Sequence, residues 1–264
     1  NEQLADSLNL PKDHNYSRTA LLGCIAAKQA AIQANINHKP SQRTGLISAT
    51  SIGGMDMTEK HFQNYNNNSE SRKFISSHHA GNSTEKIAEH LGITDYITTI
   101  STACSSAANA IMLGTRLIKS GQLDRVIVGG TDGLAKFTIN GFKSLMILSN
   151  TDCKPFDANR TGLNLGEAAA YLVLESDTIV KQENKAVLAY MAGYGNANDA
   201  FHQTASSENG DGAFLAMQKA LTVANIQPED ISYINAHGTA TSNNDLSEGT
   251  VIKRIFGTSI PDFS

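Results

Sequence analysis

The fold of this chain is decided by one stretch, Thr99-Ile100-Ser101-Thr102-Ala103-Cys104-Ser105-Ser106-Ala107-Ala108-Asn109-Ala110. The β-rich run at residues 97–101 predicts a strand, and the small residues and helix formers of residues 105–118 predict a helix. Cys104 therefore lies at a predicted strand-to-helix junction, where unpaired backbone N–H groups and the positive end of a helix dipole favour a thiolate. The same N–H groups can hold the oxyanion that forms when a thiolate attacks a carbonyl. A buried and inert thiol is the alternative for a lone cysteine.

Length and composition favour one large α/β domain or two closely packed halves, since the 264 residues are 40% hydrophobic and can bury a large core. The 21 basic and 25 acidic residues give a formal charge of −4, which argues against nucleic acid as a partner. The chain has three cysteines, Cys24, Cys104 and Cys153, without CxxC spacing, so we expect neither disulfides nor a metal site. We therefore expect a cytoplasmic location. We find no signal peptide and no apolar run of membrane-spanning length, and we expect no membrane association. Because residue 1 is Asn rather than Met, we expect a fragment of a longer polypeptide.

Helices and strands are predicted to alternate along the chain. The predicted helices are residues 17–35 with Ser17 as cap, residues 82–91 with Asn82 or Ser83 as cap and Gly92 as the end, residues 142–148 and residues 211–224. The predicted strands are residues 43–51, 125–130, 185–194 and 231–236. The strand and helix around Cys104 form a βαβ unit with the strand at residues 125–130. Gly53-Gly54 follows a predicted strand, but no Lys-Ser/Thr completes a phosphate-binding loop, and we expect no cofactor.

His237 directly follows the predicted strand at residues 231–236 and precedes Gly238 and two threonines. In α/β sheets, ligand-binding and catalytic groups concentrate at the carboxyl ends of strands. A surface or core histidine with satisfied hydrogen bonds is the alternative. If the halves that carry Cys104 and His237 are related by a pseudo-twofold axis, both residues face one cavity.

Glu167 precedes the apolar run at residues 168–174, where an unpaired carboxylate is costly to bury. We therefore expect Glu167 to fix the preceding loop through Arg160 or through backbone amides. An acid–base cluster of Asp157, Arg160 and Glu167 is the disfavoured alternative, because an arginine beside carboxylates makes them poor acids.

Five motifs resemble those of the β-ketoacyl-acyl-carrier-protein synthases, nearest the chain-elongating type I and type II enzymes. They are Ser101-Thr102-Ala103-Cys104-Ser105-Ser106, Lys154-Pro155-Phe156-Asp157-Ala158-Asn159-Arg160, Leu165-Gly166-Glu167-Ala168, Asp199-Ala200-Phe201-His202-Gln203-Thr204 and Asn235-Ala236-His237-Gly238-Thr239-Ala240-Thr241. The resemblance covers essentially the whole chain in the family's order. It implies a thiolase-like α/β fold of two similar βαβ-based halves in a layered αβαβα arrangement. We expect the halves to be residues 1–175 and 176–264, with the first strand and the C-terminal part of the fold missing.

The resemblance also implies a reaction and roles for single residues. Cys104 matches the nucleophile that takes an acyl group from acyl carrier protein, and His237 matches the histidine that supports decarboxylation of malonyl carrier protein and stabilises the enolate. The enolate then attacks the acyl thioester to give a 3-oxoacyl product. The other matched positions are Thr239 and Thr241 at the pantetheine arm, Ile52 and Phe142 in the acyl pocket, His202 and Thr204 in a loop near the mouth of the site, Asp157, Arg160 and Glu167 in structural support, and Glu248 as partner of an active-site lysine.

The family's active-site lysine and second histidine have no counterpart in this chain, so these residues alone are expected to acylate Cys104 but not to condense. The implied partners are acyl carrier protein and a second subunit, either an identical chain or a chain-length factor. Two alternatives stay open: a biosynthetic thiolase that uses CoA thioesters, which the histidine motif disfavours, and a non-catalytic chain-length factor, which Cys104 disfavours.

Overall fold

The computed structural model describes residues 1–36, 41–202 and 205–264. The chain forms two compact units: Asn1–Asn140 with Gly166–Ala189, and Gly141–Leu165 with Tyr190–Ser264. The division into halves at residue 175 stays a prediction.

The first unit contains most of the regular structure. Its helices are α1 (Glu2–Ser7), α2 (Arg18–Gln33), α3 (Met55–His61), α4 (Ser69–Ile75), α5 (Ala80–Leu91), α6 (Ser106–Lys119) and α8 (Asp177–Gln182), and α7 (Lys136–Ser144) begins in it and ends in the second unit. Its strands are β1 (Thr44–Ala49), β2 (Tyr96–Ile100), β3 (Arg125–Asp132) and β4 (Ala168–Glu175). Short 3-10 turns cover Phe62–Asn64 and Ser76–His78.

The sheet of the first unit has the strand order β2-β1-β3-β4. Strand β1 runs parallel to both β2 and β3, and β4 is antiparallel to β3. The carboxyl ends of β1, β2 and β3 therefore lie at one edge of the sheet. The chain passes from β2 through α6 to β3, which confirms the predicted βαβ unit.

Each face of this sheet is covered by a hydrophobic cluster. Alternate residues of β1 point to opposite faces, so that Leu46 packs with Leu21 and Ile87 from α2 and α5 while Ile47 packs with Ala110 from α6. All six residues of β1 are buried, as expected for a central parallel strand. The cap and start of α2 are as predicted, since Ser17 accepts a hydrogen bond from the Ala20 N–H.

A buried charge network lies at the amino end of β3. The guanidinium of Arg125, which is fully buried, lies 2.5 Å from the carboxylate of Glu175 and 3.1 Å from that of Glu183. The ammonium of Lys185 lies 2.6 Å and 3.1 Å from the same two carboxylates. The charges are balanced two against two, which offsets the cost of removing them from water.

The second unit is built around two helices, α9 (Asp211–Ala224) and α10 (Ser242–Phe256), which pack on each other. Its strands are short: β5 (Tyr233–Ile234) pairs in parallel with β6 (Asp262–Phe263), and a 3-10 turn covers Pro228–Asp230. Across the described ranges of both units, no helix has the length and apolar character that crossing a membrane requires.

Three predicted boundaries are wrong. The helix at residues 142–148 is instead α7, which starts at Lys136 because the Glu59 carboxylate accepts the N–H groups of Lys136 and Phe137 at 3.1 Å and 2.6 Å. It ends by Ser144, and Met146 then has a left-handed φ of 56° that no helix accommodates. The helix expected to start after Asn82 or Ser83 starts at Ala80, because the side chain of His79 caps it.

Two predicted strands also differ. Residues 185–200 form neither helix nor strand. Within this stretch, Gly193 and Gly195 lie so close to α9 that a Cβ atom would come within 2.3 Å and 2.0 Å of the Ala220 and Ala216 carbonyl oxygens. This part of the chain therefore packs on a helix backbone instead of pairing with a strand. The strand expected at residues 231–236 is reduced to Tyr233–Ile234, which pairs with Asp262–Phe263.

Candidate active site

Cys104 lies in the loop between β2 and α6 with its side chain exposed. The preceding residue, Ala103, has a left-handed φ of 53°. For a residue with a Cβ this conformation costs about 1–2 kcal/mol and persists only where neighbouring contacts fix it. The turn brings Cys104 to the start of α6, at the carboxyl edge of the sheet, as the sequence predicts.

A network of hydroxyl groups holds the Cys104 loop. Ser106, which is buried at the start of α6, donates its Oγ–H to the Ala103 carbonyl oxygen at 2.6 Å and accepts the Thr102 N–H at 2.7 Å. Ser105 Oγ donates to the Thr102 carbonyl oxygen at 2.8 Å, and Asn109 Nδ2 donates to Thr102 Oγ1 at 2.9 Å. These bonds offset the backbone strain and fix the position of the thiol.

The other two cysteines have different environments. Cys24 is fully buried, its Sγ lies 3.7 Å from the Lys86 carbonyl oxygen, and burial raises the pKa of its thiol to about 12. Cys153 is half-buried, with its Sγ 3.8 Å from the Thr239 carbonyl oxygen. Of the three cysteines, Cys104 is therefore the one whose side chain is exposed for reaction.

Ile52 lies in a turn that directly follows β1. The Asp132 carboxylate accepts the N–H groups of Ser51 at 3.0 Å and of Ile52 at 3.4 Å, and the hydroxyl of Thr50 at 2.6 Å. The Thr50 N–H donates to the Ile100 carbonyl oxygen at 3.2 Å, which joins this turn to the end of β2. Ile52 and Cys104 thus follow neighbouring parallel strands at the same edge of the sheet. Asp132 was not predicted, since its role depends on strand order.

Glu167 is held by groups of its own unit, and its link to Arg160 stays a prediction. Arg18 donates to both of its carboxylate oxygens, and the Leu134 N–H donates to Oε2 at 3.0 Å. Leu134 lies in the loop after β3, not in the preceding loop that the sequence indicated. The hydrogen bonds from Arg18 lower the pKa of Glu167 to about 2. Glu167 is therefore ionised at neutral pH and serves as a structural link between α2 and the loop before α7.

His237 lies in the second unit, with its side chain exposed, in the loop between β5 and α10. Glu248 of α10 accepts the His237 N–H at 2.7 Å and the Gly238 N–H at 3.0 Å through its two carboxylate oxygens. The carboxylate therefore fixes the backbone that carries the imidazole. The pairing of Glu248 with a lysine stays a prediction.

The two threonines after His237 contact each other, with Thr239 Oγ1 and Thr241 Oγ1 2.9 Å apart. In the loop at residues 154–160, Asp157 Oδ1 accepts the Asn159 N–H at 2.6 Å, and Arg160 Nη1 donates to the Asp157 carbonyl oxygen at 2.9 Å. Asp157 and Arg160 thus stabilise this loop from within. An acid–base role for Glu167 stays disfavoured, since the hydrogen bonds from Arg18 lower its pKa to about 2.

Asp245 is a site residue that sequence reasoning missed. Its side chain is fully buried, with the Arg160 Nε 3.5 Å from Oδ2, and it accepts the N–H groups of Phe156 at 2.7 Å and Ala240 at 3.1 Å. The available signal was an aspartate in the first turn of a helix that starts directly after the histidine motif.

For three predicted substrate-binding residues the structure gives at most their location. Phe142 is half-buried near the end of α7, and His202 is exposed in an irregular segment. Thr204 lies outside the described residues. In the described ranges, no group of three or more His, Cys, Asp or Glu side chains is arranged to hold a metal ion.

Comparison with known proteins identifies the class of this chain. The family profile of the β-ketoacyl synthase N-terminal domain matches residues 5–178, and that of the β-ketoacyl synthase C-terminal domain matches residues 188–262. Among curated proteins, 3-oxoacyl-[acyl-carrier-protein] synthase 2 of Staphylococcus aureus is 31% identical over 268 residues, which cover 97% of this chain and 66% of that protein.

Two solved structures are also similar. The ishigamide ketosynthase/chain length factor has a TM-score of 0.89 and 29% identity, with 96% of this chain and 64% of that chain covered. A ketosynthase in complex with its chain length factor from Xenorhabdus doucetiae has a TM-score of 0.81 and 35% identity, with 97% and 63% covered.

The fold is thus that of the thiolase-like condensing enzymes, as the resemblance implies. The chain belongs to the β-ketoacyl synthase family. It spans slightly less than two thirds of the length of the relatives named above.

Proposed function

We propose that this chain is the Cys104- and His237-bearing part of a 3-oxoacyl-acyl-carrier-protein synthase of fatty acid or polyene/polyketide biosynthesis. In the first step the Cys104 thiolate attacks the acyl thioester on acyl carrier protein. A thioester forms at Cys104, and the carrier's thiolate leaves. In the second step malonyl carrier protein loses CO₂, and the resulting enolate attacks the Cys104 thioester. A carbon–carbon bond forms, the Cys104 thiolate leaves, and a 3-oxoacyl carrier protein results.

The observation that carries this proposal is the presentation of Cys104. An exposed thiol follows a strained left-handed residue and precedes the start of α6, in a loop fixed by buried Ser106. A thiol placed in this way can reach a bulky carrier-bound thioester, and backbone N–H groups at the helix start can bind the developing oxyanion. Cys24, by contrast, is buried with a raised pKa.

His237 suits the second step. Its imidazole is exposed while its backbone N–H and that of Gly238 are bound by Glu248. An imidazole carried by a fixed backbone can donate a hydrogen bond to the enolate oxygen. The neighbouring hydroxyls of Thr239 and Thr241 provide hydrogen-bond donors and acceptors for a pantetheine arm, and Ile52 and Phe142 provide apolar surface for an acyl chain.

The proposed partners are acyl carrier protein, loaded with an acyl or malonyl group, and a second subunit. The S. aureus relative is named for acyl carrier protein, and the X. doucetiae ketosynthase is in complex with a chain length factor. Strand β2 forms an edge of the sheet in the first unit and carries the exposed Ile97, so it offers a surface for pairing with a partner strand. We propose a homodimer, with a chain-length factor as the alternative second subunit.

The reaction is tested in the full-length synthase that contains this chain. CO₂ release from malonyl carrier protein and 3-oxoacyl product are measured for the wild type, His237→Ala and, as a control, His90→Ala on α5. We expect His237→Ala to retain acyl loading while CO₂ release falls by about 100–1,000-fold, the effect of removing one positioned hydrogen-bond donor. His90→Ala should match the wild type. Unchanged CO₂ release in His237→Ala would contradict the proposed role. Loading from CoA thioesters without carrier protein would favour a thiolase, and no loading at all would favour a non-catalytic chain-length factor.

A further inference from the structure

One buried carboxylate holds two strained residues from different loops. Phe156 and Ala240 both have left-handed backbones, with φ values of 61° and 57°. The N–H of Phe156 donates to Asp245 Oδ2 at 2.7 Å, and the N–H of Ala240 donates to Asp245 Oδ1 at 3.1 Å. Each oxygen of one carboxylate therefore fixes a backbone conformation that L-residues rarely adopt.

The surroundings of Asp245 fix the carboxylate itself. Its side chain is fully buried, and the Arg160 Nε lies 3.5 Å from Oδ2, which supplies a compensating positive charge. Asn244 Nδ2 donates to Asp245 Oδ1 at 3.3 Å and lies 3.4 Å from Glu248 Oε2, the oxygen that binds the Gly238 N–H. The two carboxylates of α10 thus bind the loop that carries His237 at three backbone N–H groups.

We propose that Asp245 is a positioning residue for the site that contains His237. It joins the loop at residues 154–160 to the loop at residues 237–241 and keeps Thr239, Thr241 and His237 in one arrangement. The inference rests on the proposed function for the chemistry that the arrangement serves. Strained residues held by a buried charge are typical of functional sites, where neighbouring contacts preserve a conformation that the chain alone disfavours.

The test compares Asp245→Asn with Asp262→Asn, a control at an exposed aspartate of the same unit. Asparagine keeps the shape of the side chain but replaces one acceptor oxygen with a donor, so one of the two N–H groups loses its partner. We expect amide hydrogen exchange at Phe156 and Ala240 to accelerate at least about tenfold, and CO₂ release from malonyl carrier protein to fall at least about tenfold. Asp262→Asn should match the wild type in hydrogen exchange and CO₂ release, and Asp245→Asn should still unfold in one cooperative transition.

A rescue variant keeps the test informative if Asp245→Asn folds poorly. Glycine adopts left-handed φ without strain, so Ala240→Gly combined with Asp245→Asn should recover part of the lost CO₂ release and protection. The proposal is overturned if Asp245→Asn leaves exchange and CO₂ release unchanged, or if the double variant performs no better than the single one. If the wild type itself neither acylates nor releases CO₂, the proposed function fails, and the exchange measurement still decides the role of Asp245.

Discussion

Replacing Ser106 with alanine removes the buried hydroxyl that holds the Cys104 loop. The Ser106 Oγ makes two hydrogen bonds, at 2.6 Å to the Ala103 carbonyl oxygen and at 2.7 Å from the Thr102 N–H. Each such bond contributes about 0.5–1.5 kcal/mol net, so Ser106→Ala should lower the free energy of unfolding by about 1–3 kcal/mol. This loss is comparable to the cost of about 1–2 kcal/mol for the left-handed backbone of Ala103. The strained loop should therefore lose its single conformation.

The assay pairs chemical denaturation with the rate at which Cys104 is acylated by an acyl carrier protein. If about 1–2 kcal/mol of this loss falls on the loop conformation that presents Cys104, the population of that conformation falls about 5–30-fold. Acylation should slow by the same factor. Ser105→Ala is the matched control, because its hydroxyl is exposed and water can replace its bond to Thr102. If Ser106→Ala and Ser105→Ala show the same stability and acylation rate, the loop is not held in the way described.

Two further predictions concern the framework of the first unit. Arg125→Met leaves the buried Glu175 and Glu183 with Lys185 alone and should lower the free energy of unfolding by about 3–5 kcal/mol. Arg43→Met breaks an exposed ion pair and should lower it by at most about 1 kcal/mol. Equal losses of the two variants in urea denaturation would refute this comparison. The pKa of Glu167 is depressed from 4.5 to about 2, so its stabilising contribution is fully present above pH 4.5 and is lost as the pH falls towards 2. Acid titration of unfolding should show this dependence in the wild type and a weaker one in Arg18→Met.

Elements fixed by local signals were predictable from the sequence. Ser17 caps α2, and the bounds of α9, Asp211–Ala224, coincide with the predicted helix. Gly92 ends α5 with a left-handed φ of 68°, as a C-terminal glycine predicts. The strand-to-helix junction at Cys104 was also readable, because its hydrophobic pattern changes from strand to helix within a few residues.

Features fixed by residues distant in sequence were not predictable. The start of α7 depends on Glu59, which lies more than seventy positions earlier in the chain. Glu167 binds Arg18, which lies 149 positions earlier in the chain, because strand order brings α2 to its loop. The role of Asp245 depends on two loops, distant in sequence, that both contact its carboxylate. Spacing along a sequence cannot show which of several charged residues the topology brings together.

The central claim is that Cys104 is the acyl-accepting nucleophile. The direct measurement is intact-protein mass spectrometry after incubation with acyl carrier protein loaded with a medium-length acyl chain, followed by peptide mapping, with Cys104→Ala and Cys24→Ala in parallel. We predict one acyl adduct on Cys104, its absence in Cys104→Ala and its persistence in Cys24→Ala, where the replaced thiol is buried. A folded wild type that gains no adduct, or a Cys104→Ala variant that still becomes acylated, would contradict the account.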